Sequence, residues 1–172
     1  MRSVLILFVL LVSSASSVWA QHLKTDKGHE NNPYYSNTDT RHLNVTNAEW
    51  KKILPPALYA NAREQDTEEP FTGKYWNSNA KGTYYCAVCG NLLFRSTAKF
   101  ASDCGWPSFF ETEGKNSVIY RADHSVGMER TEVICARCDS HLGHIFDDGP
   151  PPTNKRFCMN SVSLDFKPDG FK

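Results

Sequence analysis

The sequence predicts a mainly β fold with antiparallel sheets, preceded by short helices near the N-terminus. From Gly73 onward, runs of β-branched and aromatic residues alternate with clusters of Gly, Pro, Asn and Asp, a pattern typical of short strands joined by turns. No long helical pattern separates these runs, and strands without crossover helices favour antiparallel pairing. The length of 172 residues fits one domain.

Residues 1–20 have the pattern of a secretory signal peptide. Arg2 gives a basic start, residues 4–12 are all apolar, and residues 18–20 suit a cleavage position. This apolar run is shorter than the roughly 20 residues that a membrane helix needs, and an uncleaved anchor is the alternative interpretation. The signal predicts a location in the secretory pathway, either the endoplasmic reticulum or the exterior, with no membrane attachment after cleavage.

Residues 21–46 are predicted to form a flexible leader, because they are polar and have little to bury. They contain one glycosylation sequon, at residues 44–46. The whole chain carries 19 Lys and Arg against 19 Asp and Glu, with no basic stripe. This balance argues against nucleic acid and anionic membrane as partners.

Two short helices are predicted after the leader. Thr46 and Glu49 match a capping box, so a helix is expected over residues 47–54, where a Pro-Pro pair ends it. A second helix is expected over residues 57–65. The predicted strands lie at residues 83–87, 92–96, 117–122, 130–135 and 156–166.

Four of the six cysteines form two Cys-x-x-Cys pairs, separated by 45 residues. Two such pairs present four thiolates that suit one tetrahedral zinc ion, and Gly90 after the first pair fits the tight turn. Two structural disulfides are the alternative, since a signal peptide leads to an oxidising compartment. The predicted ligands of a closed, structural zinc site are Cys86, Cys89, Cys135 and Cys138.

The other two cysteines, Cys104 and Cys158, stand alone. If the strand around Cys158 is uninterrupted, Arg156 and Asn160 share its face, and a cation beside a thiol favours the thiolate. A buried structural cysteine is the alternative, because apolar residues continue that face through residues 162–166. Cys104 lies in a turn rich in Gly and Pro, from which it can reach another thiol; a permanent disulfide between the two remains the alternative.

His141 and His144 follow the second cysteine pair directly. Positions three apart on a straight strand face opposite ways, but Gly143 can break the run and let both rings converge. Two imidazoles near a thiol can supply a proton to a reacting group. A structural role for both histidines is the alternative.

Together these segments resemble a known family over roughly residues 47–166, with matching order and spacing. The matching runs are Cys86-Ala-Val-Cys89-Gly90, Cys104-Gly-Trp-Pro-Ser-Phe109, Cys135-Ala-Arg-Cys138-Asp-Ser-His141-Leu-Gly-His144-Ile-Phe146, Asp148-Gly149-Pro150 and Arg156-Phe-Cys158-Met-Asn160-Ser161. The family is the B-type methionine sulfoxide reductases, which act on the R epimer of the sulfoxide. The resemblance predicts a reductase domain over residues 47–168. It implies two antiparallel sheets, short N-terminal helices and a structural zinc ion at the end away from the active site.

The resemblance also implies a reaction cycle on methionine-R-sulfoxide, protein-bound or free. Cys158 would attack the sulfoxide sulfur as the nucleophile and keep the oxygen as a sulfenic acid. Cys104 would be the resolving cysteine, which attacks that sulfenic acid to form a Cys104–Cys158 disulfide. A thioredoxin-like dithiol would then reduce the disulfide.

The same resemblance implies roles for the surrounding residues. His141, His144 and Asn160 would bind and protonate the sulfoxide oxygen. Arg156 would favour the thiolate, and Trp106 would pack against the substrate methyl group. The expected partners are oxidised proteins and the reductant, and the expected state is a monomer. The N-terminal region departs from the family pattern. The family's usual reductant is cytosolic or organellar, whereas a signal peptide sends this chain into an oxidising compartment.

Two other classes of function use the same cysteines. A secreted or luminal zinc-binding interaction module would need only the four paired cysteines and would leave Cys158, Cys104 and Trp106 without a role. A protein disulfide oxidoreductase would use both cysteines of one Cys-x-x-Cys pair within a βαβ pattern, which this sequence lacks.

Overall fold

The computed structural model describes His29 and residues 31–170. The predicted signal peptide and the first part of the predicted leader lie outside the described residues. Within the described part, no helix is both long enough and apolar enough to cross a membrane.

The two predicted helices are confirmed as α1 (Asn47–Ile53) and α2 (Pro56–Glu64). Thr46 caps α1, and its hydroxyl accepts a hydrogen bond of 3.2 Å from the backbone N–H of Glu49. Trp50 on α1 is only 1% exposed, so this short helix is held by packing rather than by its length.

Nine strands in the described residues form two antiparallel sheets, which confirms the predicted fold class. Their bounds are β1 (Gly82–Cys86), β2 (Leu92–Arg95), β3 (Lys99–Phe100), β4 (Ser108–Phe109), β5 (Val118–Asp123), β6 (Arg130–Cys135), β7 (His141–Phe146), β8 (Arg156–Met159) and β9 (Leu164–Pro168). The smaller sheet has the order β2-β1-β9, and the larger has the order β3-β4-β8-β7-β6-β5. The first four predicted strands are confirmed to within one residue at each end, whereas β3, β4 and β7 were not predicted.

The predicted strand over residues 156–166 is wrong, because the chain changes sheet within it. β8 ends at Met159, a 3-10 turn covers Ser161–Ser163, and β9 then pairs with β1 in the smaller sheet. The hydroxyl of Ser163 donates to the carbonyl of Asn160 at 2.8 Å and closes this turn. The apolar residues after the turn therefore do not continue the face that carries Cys158.

The two sheets pack face to face through aromatic side chains. Phe94 of the smaller sheet stacks on Phe109 of the larger one, with ring centroids 4.4 Å apart. Tyr84 meets Phe109 edge-on at 5.0 Å, and Phe157 meets Phe94 at 5.6 Å. Because Phe157 points into this core, the next residue, Cys158, points to the opposite face of the larger sheet.

A row of four directly paired residues crosses the larger sheet. Glu132 of β6 pairs with His144 of β7. Cys158 of β8 pairs with His144 on one side and with Ser108 of β4 on the other. Directly opposed residues on neighbouring strands project to the same face. The register alone therefore brings a carboxylate, an imidazole, a thiol and a hydroxyl side by side.

Residues 31–46, here called the brace, differ from the expected flexible leader. Asn32 is only 8% exposed, and its side-chain amide donates to the carbonyl of Val88 at 2.7 Å. Tyr34 packs edge-on against Trp50 with ring centroids 5.2 Å apart. The expectation rested on polarity, but the brace is attached mainly through polar groups, which a hydrophobicity pattern does not detect.

The brace contacts both Cys-x-x-Cys segments. The backbone N–H of Ser36 donates to the carbonyl of Cys89 at 2.9 Å, and that of Leu43 donates to the carbonyl of Arg137 at 2.7 Å. The Arg137 guanidinium, which is buried, donates to the carbonyls of Cys89 and Tyr34. One arginine from the second segment therefore links the first segment and the brace.

Candidate functional site

The two Cys-x-x-Cys segments have the same backbone shape. In the first, the N–H of Gly90 donates to the carbonyl of Cys86 at 2.8 Å, and Gly90 has a φ of +78°. In the second, the N–H of Asp139 donates to the carbonyl of Cys135 at 2.9 Å, and Asp139 has a φ of +56°. Glycine and aspartate are among the residues that tolerate this left-handed conformation. Each turn thus directs two thiols to one point.

The four thiols of these segments converge. The Sγ atoms of Cys86 and Cys138 are 3.7 Å apart, and those of Cys89 and Cys135 are 3.6 Å apart. All four residues are buried, and their sulfurs lie within 4.8 Å of one another. A tetrahedral zinc ion with Zn–S bonds of about 2.3 Å holds its sulfurs about 3.8 Å apart, so this donor set fits zinc.

The same distances disfavour the disulfide alternative. All four thiols are free, and their separations far exceed the roughly 2.05 Å of an S–S bond. Burial raises the pKa of Cys86 and of Cys138, so these thiols need a cation to ionise. The predicted ligands therefore form a closed metal-binding cluster.

The two single cysteines meet at the face of the larger sheet. Their Sγ atoms are 3.4 Å apart, and both residues are half-buried and free. The hydroxyls of Ser102 and Ser108 lie 3.0 and 3.4 Å from the sulfur of Cys104. Closing the gap to a disulfide takes a movement of about 1.4 Å. Cys104 lies in a turn, as predicted, so it can move without breaking the sheet ladder.

Hydrogen bonding favours ionisation of Cys104 over ionisation of Cys158. The hydrogen bond from Cys158 outweighs burial and, with the hydroxyls of Ser102 and Ser108, lowers the pKa of Cys104 to about 4. The same hydrogen bond, together with burial, raises the pKa of Cys158, and the charge of Arg156 opposes that rise. Arg156 thus acts in the expected direction, but Cys104 has the larger effect.

Arg156 is held in a fixed position. Its guanidinium makes two parallel hydrogen bonds to Asp148, of 2.8 and 2.7 Å, and stacks over the ring of Phe146 at 4.4 Å. A bidentate pair orients both groups as well as attracting them. The positive charge near Cys158 is therefore partly neutralised by Asp148.

The rings of His141 and His144 converge, with centroids 5.4 Å apart. A bulge in β7 is the cause, since the register with β6 shifts at this point and Leu142 is the extra residue. Gly143 has a φ of +154°, and a side chain there would collide with the carbonyl of Cys158. The two rings therefore converge as the sequence interpretation expects, and Gly143 permits the close approach of β7 to β8.

Each of these histidines is bonded to a carboxylate that the sequence did not indicate. Nδ1 of His141 lies 2.8 Å from Glu132, and both side chains are 3% exposed. Nε2 of His144 lies 2.7 Å from Asp123. Burial lowers the pKa of His144, and the hydrogen bond with Asp123 opposes this effect. Glu132 is a charged residue in the buried part of β6, and that unusual position is the sequence signal that could have indicated its role. No local sequence feature indicates the role of Asp123.

A small cavity of about 110 Å³ opens beside Cys158. The Trp106 indole forms part of its wall, and the indole N–H donates to the carbonyl of Glu68 at 3.1 Å. The Asn160 amide is bonded on both sides, to the N–H of Glu68 at 3.2 Å and to the carbonyl of Leu142 at 3.3 Å. Of the predicted site residues, the lining includes Trp106, His144, Cys158 and Asn160, but not Cys104, His141 or Arg156.

Comparison with known proteins agrees with this arrangement. A family model described as the SelR domain matches residues 54–168, which is most of the chain. The chain belongs to the SelR domain family. The match takes in the metal cluster, the thiol pair and the cavity.

Curated relatives support this family membership. A protein of Thiobacillus denitrificans named peptide methionine sulfoxide reductase MsrB is 54% identical over 123 residues, which cover 72% of this chain and 93% of that protein. Proteins of the same name from Pseudomonas savastanoi and Acinetobacter baylyi are 52% and 49% identical over 126 and 127 residues. These matches cover 73% and 74% of this chain, and 96% and 91% of those proteins.

Proposed function

We propose that this chain reduces methionine-R-sulfoxide in oxidised proteins to methionine. The relatives are named peptide methionine sulfoxide reductase MsrB, and the chain covers more than nine-tenths of each. The observation that carries the proposal is the pair of free thiols, Cys104 and Cys158, 3.4 Å apart beside a cavity walled by Trp106. One thiol can take an oxygen atom, and the other is close enough to remove it.

The cycle balances with one external reductant, a dithiol that supplies two electrons per sulfoxide. Cys158–SH attacks the sulfoxide sulfur, the S–O oxygen passes to Cys158 as a sulfenic acid, and the thioether leaves. Cys104–SH then attacks the sulfenic sulfur, which forms the Cys104–Cys158 disulfide and releases water. A thioredoxin-like dithiol reduces that disulfide and becomes oxidised itself.

The polar groups around the cavity act on the sulfoxide oxygen. His144 lines the cavity, is paired with Asp123 and can hold the proton that the oxygen needs on leaving sulfur. Trp106 gives the methyl group an aromatic surface with favourable sulfur contacts. His141 and Asn160 support this wall through Glu132 and the backbone of β7, and Arg156 favours a negative charge on Cys158.

Zinc has a structural role in this proposal. Cys86, Cys89, Cys135 and Cys138 would hold one ion, which links the two segments and supplies no reacting group. The reaction then belongs to the remaining two cysteines.

We further propose that the chain works as a monomer in the secretory pathway, in the endoplasmic reticulum or outside the cell. Residues 1–20 would be the signal peptide, and residues 47–168 the reductase domain, to which residues 31–46 of the expected leader are attached as the brace. The sequence pattern of residues 1–20 and the exposure of Asn44 in its sequon support this location. N-terminal sequencing of the protein exported by a secreting cell should begin at Gln21, and a start at Met1 would exclude cleavage.

An assay with separate sulfoxide epimers tests the main proposal. With dithiothreitol as reductant, the zinc-loaded protein should convert peptide methionine-R-sulfoxide to one equivalent of methionine per sulfoxide consumed and leave the S epimer unchanged. Free methionine-R-sulfoxide in a parallel assay measures the preference for protein-bound substrate. Equal rates with both epimers, or no turnover of either, would exclude the proposed activity.

A further inference from the structure

Glu68 lies between α2 and β1, outside every motif in the sequence, yet it bonds to three parts of the candidate site. Its carbonyl accepts from the indole N–H of Trp106 at 3.1 Å. Its N–H donates to the side-chain oxygen of Asn160 at 3.2 Å. Its carboxylate accepts from the backbone N–H groups of Ser161 and Val162.

The carboxylate of Glu68 holds the backbone of its loop against the turn that follows β8. Ser161 and Val162 begin the 3-10 turn that carries the chain from β8 to β9, and their N–H groups have no partner earlier in the turn. Each carboxylate oxygen of Glu68 accepts from one of these groups, at 2.5 Å for Ser161 and 3.1 Å for Val162. The loop that contains Glu68 is thereby attached to the chain just after Cys158.

That attachment joins the two walls of the cavity. Trp106 comes from the turn before β4, and Cys158 comes from β8, so the two walls belong to different segments. Through its carbonyl and its carboxylate, Glu68 links the Trp106 wall to the residues that follow Cys158. Thr67, its neighbour, lines the cavity directly.

We propose that Glu68 is a positioning residue that sets the selectivity of the cavity for small sulfoxides. It fixes the distance between the Trp106 indole and Cys158, so that a methyl substituent fits and a longer alkyl group does not. This inference rests on the proposed reductase activity. A cavity of only about 110 Å³ leaves little tolerance for a shift of one wall.

The test compares Glu68→Ala and Glu68→Gln with a matched control, Glu69→Ala, which removes the same charge from an exposed neighbour. Each protein is assayed with the R epimers of methionine sulfoxide and ethionine sulfoxide, which differ by one CH₂ group. Glu68→Ala should lose about tenfold in kcat/KM for the methyl substrate, mainly through KM, and its preference for methyl over ethyl should fall by a similar factor.

Glu68→Gln should be intermediate, because its amide oxygen can still accept from one of the two N–H groups. The Gln variant also decides the case if the Ala variant does not fold. A methyl-to-ethyl preference equal to that of the unmodified chain in the folded variants would overturn the inference, whatever their melting temperatures. If the unmodified chain reduces neither substrate, the proposed function itself fails, which separates that outcome from a failure of Glu68.

Discussion

The metal cluster and the thiol pair both consist of cysteine thiols at nearly the same spacing, yet one is suited to holding a metal ion and the other to reacting. Neighbouring sulfurs are 3.6 and 3.7 Å apart in the cluster and 3.4 Å apart in the pair. The cluster cysteines are buried, with four soft donors and no cavity beside them among those described. Cys104 and Cys158 are half-buried, with two hydroxyls beside them and a cavity next to Cys158.

Sulfur spacing therefore does not decide what a cysteine does. Access and neighbouring groups decide it, because a thiol that reacts needs a route for substrate and a partner that stabilises the thiolate. The two regions also lie apart along the sheet. From Glu132, which is level with Cys158, to Cys135 is three residues of β6, or about 10 Å.

The regions also contain two similar His–Asp pairs. His144 lies 2.7 Å from Asp123 beside the cavity, and both side chains are largely buried. His42 of the brace lies 3.0 Å from Asp139 beside the metal cluster, and both are exposed. An exposed pair contributes little, whereas a buried one fixes the orientation of the imidazole.

The largest contrast should come from one substitution made in each region. Cys135→Ser should remove the metal and unfold the protein, because structural zinc binding is worth about 10–16 kcal/mol against a net stability of about 5–15 kcal/mol. Cys158→Ser should keep the metal and the fold but abolish sulfoxide reduction. Metal analysis, circular dichroism and the epimer assay measure these effects. A folded, metal-free Cys135→Ser protein, or an active Cys158→Ser protein, would contradict the comparison.

Cys104→Ser separates the two members of the thiol pair. This variant should release one methionine per chain at an undiminished rate. With thioredoxin as the reductant, turnover should then stop, since the sulfenic acid on Cys158 has no resolving partner. Rapid quench gives the first turnover, and coupled reductant oxidation gives the cycling rate. Undiminished cycling would remove Cys104 from the resolving role.

The same variant tests where the charge of the reduced pair lies. Because the pKa of Cys104 is lowered to about 4, the metal-loaded unmodified protein should show one thiolate more at neutral pH than Cys104→Ser, in which burial still raises the pKa of Cys158. That excess should disappear only as the pH falls through about 4. Ultraviolet thiolate absorbance measures the difference, and an equal signal in both proteins would place the charge elsewhere.

The smallest expected effect comes from the two aspartates. Asp123→Asn removes the interaction that raises the pKa of His144, so that pKa should fall further below its ordinary value. A group that must be protonated to act is lost as pH rises through its pKa, so the alkaline limb of kcat should move to lower pH, with about tenfold lower kcat near pH 7. Asp139→Asn is the control, and its profile should match the unmodified protein. Superimposable profiles for all three would exclude this role for Asp123.

The elements that follow local patterns were predictable from the sequence. Thr46 caps α1 by accepting from the backbone N–H of Glu49, three residues on, and each Cys-x-x-Cys turn is closed by its own backbone hydrogen bonds. These features depend on neighbours in the chain, which a single sequence displays.

The elements that depend on tertiary contacts were not predictable. The break after Met159 is stabilised by Glu68, 93 residues away from Ser161, and no local pattern contains that contact. Asp123 reaches His144 only because β5, β6 and β7 are adjacent strands. The residues of the brace are mostly polar, and they are attached by hydrogen bonds to backbone carbonyls of the two cysteine turns, which no sequence pattern displays.

The brace extends the folded body of the chain beyond the N-terminal limit of the family match. The family match starts at residue 54, but the compact body of the chain starts at Asn31. A chain cut between the two would leave the guanidinium of Arg137, now 2% exposed, without the carbonyl of Tyr34 and the carboxylate of Asp39. Because Arg137 also donates to the carbonyl of Cys89, such a cut would weaken the support of both cysteine turns, and the metal cluster would be the first part of the molecule to loosen.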